Sequence, residues 1–433
     1  DKKIGLVVEH FSFRSDVRDL VQDLSKKCDL VLYIDKADEL DIKKLEYNYR
    51  IISEVNSKYN SLLKIFYYFF RIKHSLHKDA VSWKLRKISS QIRLKQLLQI
   101  AWFYVYEYIP GFFSYDFFLK LLRPGQDNIS DLDAIICFTD IKNDELLSKC
   151  IKANIKLYIY MYSWDHPVKM KKIPLKNSEY LVWSNGLKND LERIHYVPDS
   201  KINIVGSTQL SYAHDFESNE KPTDKIGYIY FIGTKARPEM FRQEIDLLKE
   251  ISKFLIENKI NIKIIFRPYP NITEEAKLLY LELQKINNIE FNFYHDDDYI
   301  FTREKIFKKF NMIKNSSLVI HTGGTFGLEV CIINSLNLYF TFEKSLLPSQ
   351  KKVPFYLNLS SISAQHHLKK YINHPRPNVI KDEKQLKVAL SDIFINLNVK
   401  KYYQYNYDVS PIVSLDSIEN ISDRFIEIIH RNT

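Results

Sequence analysis

The segment best suited to binding chemistry is residues 318–333, Leu-Val-Ile-His-Thr-Gly-Gly-Thr-Phe-Gly-Leu-Glu-Val-Cys-Ile-Ile. An apolar run ends at His321, Gly323 and Gly324 follow Thr322, and Thr325 opens a helical pattern. A strand, a glycine turn and a helix N-terminus form an anion site, because free backbone N–H groups and the positive end of the helix dipole face the same point. Glu329, about one turn into the helix, can accept hydrogen bonds from vicinal sugar hydroxyls. The segment therefore predicts a site for phosphate plus ribose, which a nucleotide-linked donor presents.

A second candidate anion site is Gly233-Thr234-Lys235-Ala236-Arg237, which follows an apolar strand candidate. The glycine lets the backbone approach a ligand closely, and Lys235 or Arg237 can neutralise a phosphate. Thr234 lies between them in the same turn. An ordinary surface loop explains the pattern equally well.

A third candidate is Arg267-Pro268-Tyr269-Pro270, at the end of another strand candidate. The two prolines stiffen the loop, so that Arg267 and Tyr269 are held in place. We expect these two side chains to contact the phosphate or the base of a donor rather than to pack structurally.

Composition favours an anionic partner. The chain has 433 residues, a net charge of +10 and a pI of about 9.0, and its length predicts two domains. No basic arm or nucleic-acid motif is present, so we expect no nucleic-acid partner. Glycine is scarce, at 10 residues, which makes the adjacent pair Gly323-Gly324 stand out.

The cysteines have no zinc-site spacing, and Cys137 and Cys331 lie in apolar runs typical of buried thiols in a reducing compartment. No signal peptide is recognisable, and no apolar stretch is long enough to span a bilayer. We therefore expect a cytoplasmic protein, with peripheral contact at the inner face of the cytoplasmic membrane as the alternative location.

Strand and helix patterns alternate along both halves of the chain. This alternation predicts an α/β protein with two tandem, Rossmann-like, doubly wound domains, whose ligands bind at the carboxyl ends of the strands in a cleft. The predicted divisions are a first domain at 1–212 with a helical insertion at about 51–123, a linker at 213–224, a second domain at 225–411 and a final helical segment at 412–433.

The predicted insertion is rich in aromatic and basic residues, notably at 66–73 and 102–113. These helices either pack on a core of their own or form a surface that rests on an anionic membrane or holds a lipid-linked acceptor.

These motifs resemble the GT-B class of glycosyltransferases, in particular those that build bacterial surface polysaccharides such as capsule and lipopolysaccharide O-antigen. Gly323, Gly324 and Glu329 match the glycine-rich turn and the ribose-binding glutamate of that class. Arg-Pro-Tyr-Pro resembles the Arg-x-His-Pro loop of these enzymes, with Tyr269 where they usually carry histidine.

The first half carries a matching series of segments. They are Ser-Trp-Asp-His-Pro at 163–167, Leu-Val-Trp-Ser-Asn-Gly at 181–186 and Val-Gly-Ser at 205–207. Their order resembles the Ser-Trp-Asp, Val-Trp-Asn and Thr-Gly segments of the same bacterial enzymes. The last helix, about 418–429, resembles the GT-B helix that crosses back onto the first domain.

The resemblance implies a set of donor contacts in the second domain, no metal and no cofactor besides the substrate. The implied donor-binding residues are Gly233, Thr234, Lys235, Arg237, Arg267, Tyr269, His321, Thr322, Gly323, Gly324, Thr325 and Glu329. On the acceptor side the resemblance implies Trp164 and His166.

An inverting transferase needs a base for the proton of the acceptor hydroxyl. The candidates at strand ends of the first domain are Asp165, Glu9 and His10, with Asp140 as a further option. A retaining enzyme needs no such base. We interpret His-Asp-Asp-Asp at 295–298 as a solvated loop rather than a metal site. We interpret His366-His367 as a loop pair, with a position facing the cleft as the alternative.

Three functions remain open. The first is transfer of a sugar from a UDP, GDP, dTDP or CMP donor, the last with an acidic sugar such as Kdo or sialic acid, to a glycan or lipid-linked glycan. The second is another enzyme on this fold, either a sugar-nucleotide epimerase or a polyol-phosphate transferase of the teichoic-acid type. The third is a non-catalytic module that binds a membrane surface.

Overall fold

The computed structural model describes residues 2–8, 11, 14–36, 39–53, 55, 57–70, 115–138, 143–170, 173, 177–217, 227–233, 238–269, 278, 283–291, 301–333, 335–341, 366–372, 378–399, 402 and 409–432. The chain forms two compact units, Asp1–Ser211 with Ser410–Thr433, and Tyr212–Val409. Of the predicted helical insertion, residues 71–114 lie outside the described residues.

The first unit is built on a seven-stranded sheet in the order β3-β2-β1-β4-β5-β6-β7, and its strand pairs are all parallel. The strands are β1 (Lys3–Val7), β2 (Asp29–Ile34), β3 (Tyr49–Ile51), β4 (Ala134–Phe138), β5 (Lys156–Tyr160), β6 (Ser178–Val182) and β7 (Ile202–Ile204). The central strand β4 is apolar and buried along its whole length, and β2 is apolar and buried after Asp29, as expected of a parallel sheet covered on both faces.

The helices described in this unit are α1 (Ser15–Leu24), α2 (Glu39–Lys43), α3 (Lys58–Phe70), α4 (Tyr115–Leu121), α5 (Asp144–Ala153), α6 (His166–Lys169), α7 (Asn185–His195) and, at the end of the chain, α14 (Ile418–Asn432). Two of them begin at polar caps, because the side chains of Asn143 and Ser184 accept from the amides of Leu146 and Leu187. The helix α8 (Thr208–Glu217) follows β7.

The second unit is built on a six-stranded parallel sheet in the order β10-β9-β8-β11-β12-β13. Its strands are β8 (Ile229–Ile232), β9 (Ile264–Arg267), β10 (Ile289–Phe291), β11 (Leu318–His321), β12 (Asn337–Phe340) and β13 (Val379–Ile380). Its described helices are α9 (Pro238–Glu257), α10 (Arg303–Lys314), α11 (Thr325–Ile332), α12 (His366–Ile372) and α13 (Glu383–Phe394).

Both sheets have the doubly wound strand order, because the chain runs outward from a central strand and then returns to its other side. The reversal falls between β1 and β4 in the first unit and between β8 and β11 in the second. Ligands of such sheets bind outside the carboxyl ends of the strands at this reversal point. The predicted fold class, two doubly wound α/β units, is therefore confirmed.

Two local predictions were wrong. Residues 213–217, predicted to be part of a linker, are the end of α8, where Tyr212, Ala213 and Phe216 are buried. His366 and His367, predicted to be a loop pair, begin the helix α12, and His367 is buried. In both segments, polar residues between the buried positions concealed the helical period.

The C-terminal helix α14 packs against the first unit. Lys27, which follows α1, donates to Ser422 Oγ at 2.6 Å and lies 2.6 Å from a carboxylate oxygen of Asp423. Phe425 is fully buried, with its ring 5.2 Å from that of Tyr160 on β5. The helix therefore completes the core of the unit in which the chain begins.

We expect Phe425→Ala to destabilise the first unit by about 3 to 5 kcal/mol, because the substitution removes a buried ring and leaves a cavity. Denaturant unfolding followed by circular dichroism measures the loss. The control is Glu427→Ala on an exposed position of the same helix, which we expect to change stability by less than about 0.5 kcal/mol. Equal effects of the two substitutions would contradict the packing of α14 described above.

Candidate functional site

The candidate site lies where β8, β9 and β11 end. Ile232 at the end of β8 pairs with Arg267 on one side and with His321 on the other. The three strands therefore end in register, and the segments that begin at Gly233, Pro268 and Thr322 leave the sheet side by side. The predicted donor-binding segments are thus brought together at the reversal point of the sheet.

The two glycines after β11 are needed for different reasons. Gly323 has φ +98°, and a Cβ there would lie 3.0 Å from the Tyr339 ring. Gly324 has φ +95° and ψ −173°, a backbone conformation that only glycine adopts readily. A Cβ at Gly324 would have no atom within 4 Å, so the backbone there faces open space.

The helix α11 begins at this opening. Gly324 is its N-cap residue and supplies no capping side chain. In the part of the chain that the structure describes, the amides of Gly324, Thr325 and Phe326 donate to no protein acceptor, as is usual for the first N–H groups of a helix. These donors and the positive end of the helix dipole make the opening suitable for an anion.

His321 binds the turn rather than projecting from it. Its ring is fully buried, stacks on Tyr339 at 5.2 Å, and accepts a hydrogen bond at Nδ1 from the Gly323 amide at 3.3 Å. A ring that accepts at Nδ1 and is neutral carries its proton on Nε2. The Gly323 amide is therefore already engaged, and the available amides are those one to three residues further on.

Thr322 is fixed by a residue that the sequence did not single out. Its Oγ1 donates to Glu244 Oε1 at 3.0 Å, and both side chains are buried. Glu244 lies on α9 and also stands behind Gly233, where a Cβ would approach Glu244 Oε2 to 2.8 Å. One carboxylate thus braces the turns that follow β8 and β11.

Glu329 lies on α11, one turn beyond the opening, and is 7% exposed. Its Oε2 accepts a hydrogen bond from Lys309 Nζ at 2.5 Å, across from α10. Lys309 was also absent from the predicted site. The carboxylate is thus held in place by a cation and remains close to the helix N-terminus.

Arg267 lies beside a buried hydroxyl that the charge of Glu329 also influences. Arg267 Nη1 lies 3.5 Å from the hydroxyl of Tyr230 on β8. Burial raises the pKa of Tyr230, the charge of Arg267 opposes that rise, and the charge of Glu329 adds to it. Arg267 and Glu329 are therefore within electrostatic reach of the same point, whereas Tyr269 is 38% exposed on the adjoining segment.

Several predicted site residues lie outside the described residues. They are Glu9, His10, Asp140, Thr234, Lys235, Arg237 and the segment 295–298. Their assignments remain predictions.

In the first unit, Asp165 follows β5 at the carboxyl edge of the sheet, next to the short helix α6. It accepts from Ser163 Oγ at 2.6 Å and forms an ion pair with Lys169. Trp164 is 4% exposed, and His166 is the first residue of α6. The side chain of Asp165 is therefore held in place by neighbours within four residues of it.

A buried polar network near the same edge was not predicted. Asp16, in the first turn of α1, is fully buried and accepts from Arg14 at 2.9 Å, Thr208 at 3.0 Å and Tyr162 at 3.2 Å. Burial raises the pKa of Tyr162 well above its ordinary value, and the charge of Asp16 adds to the rise. The network joins α1, α8 and the end of β5 into one polar block.

Among the described residues, no group of three or more His, Cys, Asp or Glu side chains could hold a metal ion. Within the same residues, none of the helices has the length and apolar character needed to cross a bilayer.

Comparison with known proteins gives structural matches only. No protein-family model matches the sequence, and no curated protein matches it. The solved structures similar to this chain include UDP-GlcNAc 2-epimerase from Methanocaldococcus jannaschii, at 14% identity and a TM-score of 0.48, with 99% of each chain covered.

Two further solved structures also match. MurG from Acinetobacter baumannii matches at 10% identity and a TM-score of 0.47, with 100% of each chain covered. WaaB, a lipopolysaccharide outer core galactosyltransferase, matches at 12% identity and a TM-score of 0.46, with 99% of each chain covered. Since these scores and identities are low, the likenesses add nothing to the fold that the strand order establishes.

Proposed function

We propose that this protein is a metal-independent glycosyltransferase that moves a sugar from a nucleotide-activated donor to a growing bacterial surface glycan. The observation that carries the proposal is the opening at Gly324. The backbone at Gly324 faces open space, three amides at the start of α11 have no acceptor among the described residues, and Glu329 lies one turn further along. This arrangement suits a phosphate next to a ribose, because amides donate to phosphate oxygens and a carboxylate accepts from hydroxyls.

In this proposal the second unit stabilises the departing nucleotide. As the bond to the sugar breaks, negative charge grows on the terminal phosphate. The amides of α11, the positive end of its dipole and the guanidinium of Arg267 are fixed donors for that charge. Gly233 allows the backbone after β8 to approach the same phosphates, and Lys235 or Arg237 supplies a further cation. His321 and Thr322 shape the turn that presents the amides.

The first unit, in this proposal, binds the acceptor and takes its proton. Asp165 is the candidate base, with Glu9 or His10 as alternatives, and Trp164 and His166 lie beside Asp165 on the acceptor side. Ser163 and Lys169 hold the side chain of Asp165 in place, and its carboxylate oxygens carry lone pairs that can accept a hydroxyl proton.

The donor is a UDP, GDP, dTDP or CMP sugar. All of these present a phosphate next to a pentose. The net charge of +10 also suits the acidic sugars carried by CMP, such as Kdo or a sialic acid.

We expect at least one of UDP, GDP, dTDP and CMP to raise the melting temperature, because a ligand that binds only the folded form stabilises it. Glu329→Ala and Arg267→Ala should each lower the affinity for that nucleotide about tenfold to a hundredfold. This is the loss expected when one hydrogen bond to a charged group is removed. Isothermal titration calorimetry measures the affinities.

The control is Glu290→Ala, which removes an exposed carboxylate from β10 of the same sheet and should leave the affinity unchanged. A wild-type protein that binds none of the four nucleotides, or full affinity in both site variants, would reject the proposed site. Product analysis with and without acceptor then separates sugar transfer from epimerisation and from polyol-phosphate transfer.

Substitution of the catalytic base should abolish turnover while donor binding is retained. We expect Asp165→Asn to lower kcat about a hundredfold or more, the usual contribution of a general base, with unchanged nucleotide affinity. Glu9→Gln and His10→Gln are measured in parallel, by sugar transfer from the donor found above. Normal turnover in Asp165→Asn would exclude it as the base, and normal turnover in all three would favour a retaining mechanism or Asp140.

We also propose that the acceptor is lipid-linked and that the protein contacts an anionic membrane through α3 and α4. One face of α3 packs into the core through Tyr67, whose ring stacks on Phe118 of α4 at 4.2 Å. The opposite face exposes apolar side chains, with Leu62, Ile65 and Phe66 at 67%, 59% and 51% exposure. The exposed cations nearby are Lys58, Lys120 and Arg123. Apolar and basic residues together suit a lipid interface.

Replacing Leu62, Ile65 and Phe66 together by serine should reduce pelleting with vesicles of phosphatidylglycerol and phosphatidylethanolamine about tenfold or more, because three apolar side chains no longer enter the interface. The control is Ile256→Ser with Val388→Ser, which removes exposed apolar residues from the second unit. Unchanged pelleting of the triple variant would remove the membrane proposal and leave the nucleotide site standing.

A further inference from the structure

A lysine outside the predicted site, Lys309, contacts the carboxylate proposed to hold the ribose. Lys309 lies on α10, which precedes β11, and Glu329 lies on α11, which follows it. The Nζ to Oε2 distance is 2.5 Å, and the two side chains are 16% and 9% exposed. The pair is therefore largely shielded from water. Charge interactions are stronger in such a shielded place than at an exposed surface.

The ammonium of Lys309 is also held by two aromatic rings. It lies 5.1 Å from the ring centroid of Phe310 and 5.8 Å from that of Phe326, both within cation–π range. Phe326 is in the first turn of α11 and also contacts the His321 ring at 6.3 Å. The cation is therefore fixed to the same turn that presents the free amides.

This contact gives the two carboxylate oxygens of Glu329 different roles. Lys309 occupies Oε2, whereas no described residue donates to Oε1. One oxygen is thus anchored, and the other can accept from a ligand.

Removal of the cation would leave Glu329 without the donor that fixes its Oε2. A carboxylate without that anchor can adopt other side-chain rotamers. Ribose hydroxyls that donate to Oε1 would then face an acceptor that is no longer held in one position.

We propose that Lys309 is a positioning residue for the nucleotide, which anchors Glu329 through Oε2 and leaves Oε1 for the ribose hydroxyls. The inference rests on the proposed function, because it requires Glu329 to bind a ribose. Two other roles make different predictions: a direct contact between Lys309 and a phosphate, and a purely structural contribution to the fold.

A double-mutant cycle separates these roles, because it measures whether one residue acts through another. The variants are Lys309→Met, Glu329→Gln and the two together, titrated calorimetrically with whichever of UDP, GDP, dTDP and CMP binds the wild-type protein most tightly. Lys309→Met keeps the aliphatic stem against the phenylalanine rings. We expect it to weaken binding about tenfold in the presence of Glu329 and less than about twofold in the Glu329→Gln background.

Lys309→Arg, which keeps the charge, should stay within about threefold of wild-type affinity. The matched control is Lys308→Met, because Lys308 is the adjacent residue, is exposed and carries the same charge; its affinity should equal that of the wild-type protein. If Lys309→Met does not fold, Lys309→Gln replaces it in the cycle.

Equal losses in both backgrounds would overturn the inference in favour of a direct phosphate contact. Wild-type affinity in folded Lys309→Met with a lowered melting temperature would overturn it in favour of a structural role. Absence of binding to the wild-type protein would overturn the proposed function and this inference together, and that outcome is read from the wild-type titration alone.

Discussion

The pairing of β8 with β9 on one side and β11 on the other is the constraint on which the second unit's site depends. Because the three strands are parallel and in register, their carboxyl ends bring Gly233, Arg267 and Thr322 to one edge of the sheet. No local interaction would bring these residues together, since long helical crossovers separate them along the chain. The assembly of the site at this edge therefore depends on the strand order and not on the motif at 318–333 alone.

Carboxylates that stand behind the turns give this edge its rigidity. Glu244 accepts from Thr322 and fills the space against Gly233, and Glu329 is held by Lys309. The packing of Glu244 requires a glycine at position 233, because a Cβ there would clash with the carboxylate. The turn after β8 and the position of Glu244 therefore depend on each other. Asp16 plays a comparable part in the first unit, where three donors hold it at the carboxyl edge of the sheet.

The fold class could be predicted from the sequence, because apolar strands and amphipathic helices alternate along both halves of the chain. The turn at Gly323-Gly324 was also recognisable, since adjacent glycines are rare in this composition. Lys309, Glu244 and Asp16 were missed, because their partners lie on elements distant in the chain.

The missed residues nevertheless share a signal. Lys309 falls on the buried face of α10, between Ile306 and Ile313, whereas its neighbour Lys308 does not. Glu244 lies between Phe241 and Leu248 on the buried face of α9. A charged residue on the buried face of a helix destabilises the fold unless another group pairs with it. Such a residue therefore indicates that a specific partner lies nearby. The period locates such a residue, but the identity of its partner depends on the tertiary structure.

The return of α14 to the first unit has a consequence for the order in which the protein acquires its structure during synthesis. The second unit is one continuous stretch, 212–409, and all of it leaves the ribosome before α14 does. The first unit emerges earlier, but the pocket for Phe425 beside Tyr160 stays uncovered until α14 has emerged. Domains usually mature from the N-terminus onward. Here the unit made first is completed last, so its exposed apolar surface must be tolerated while the second unit folds.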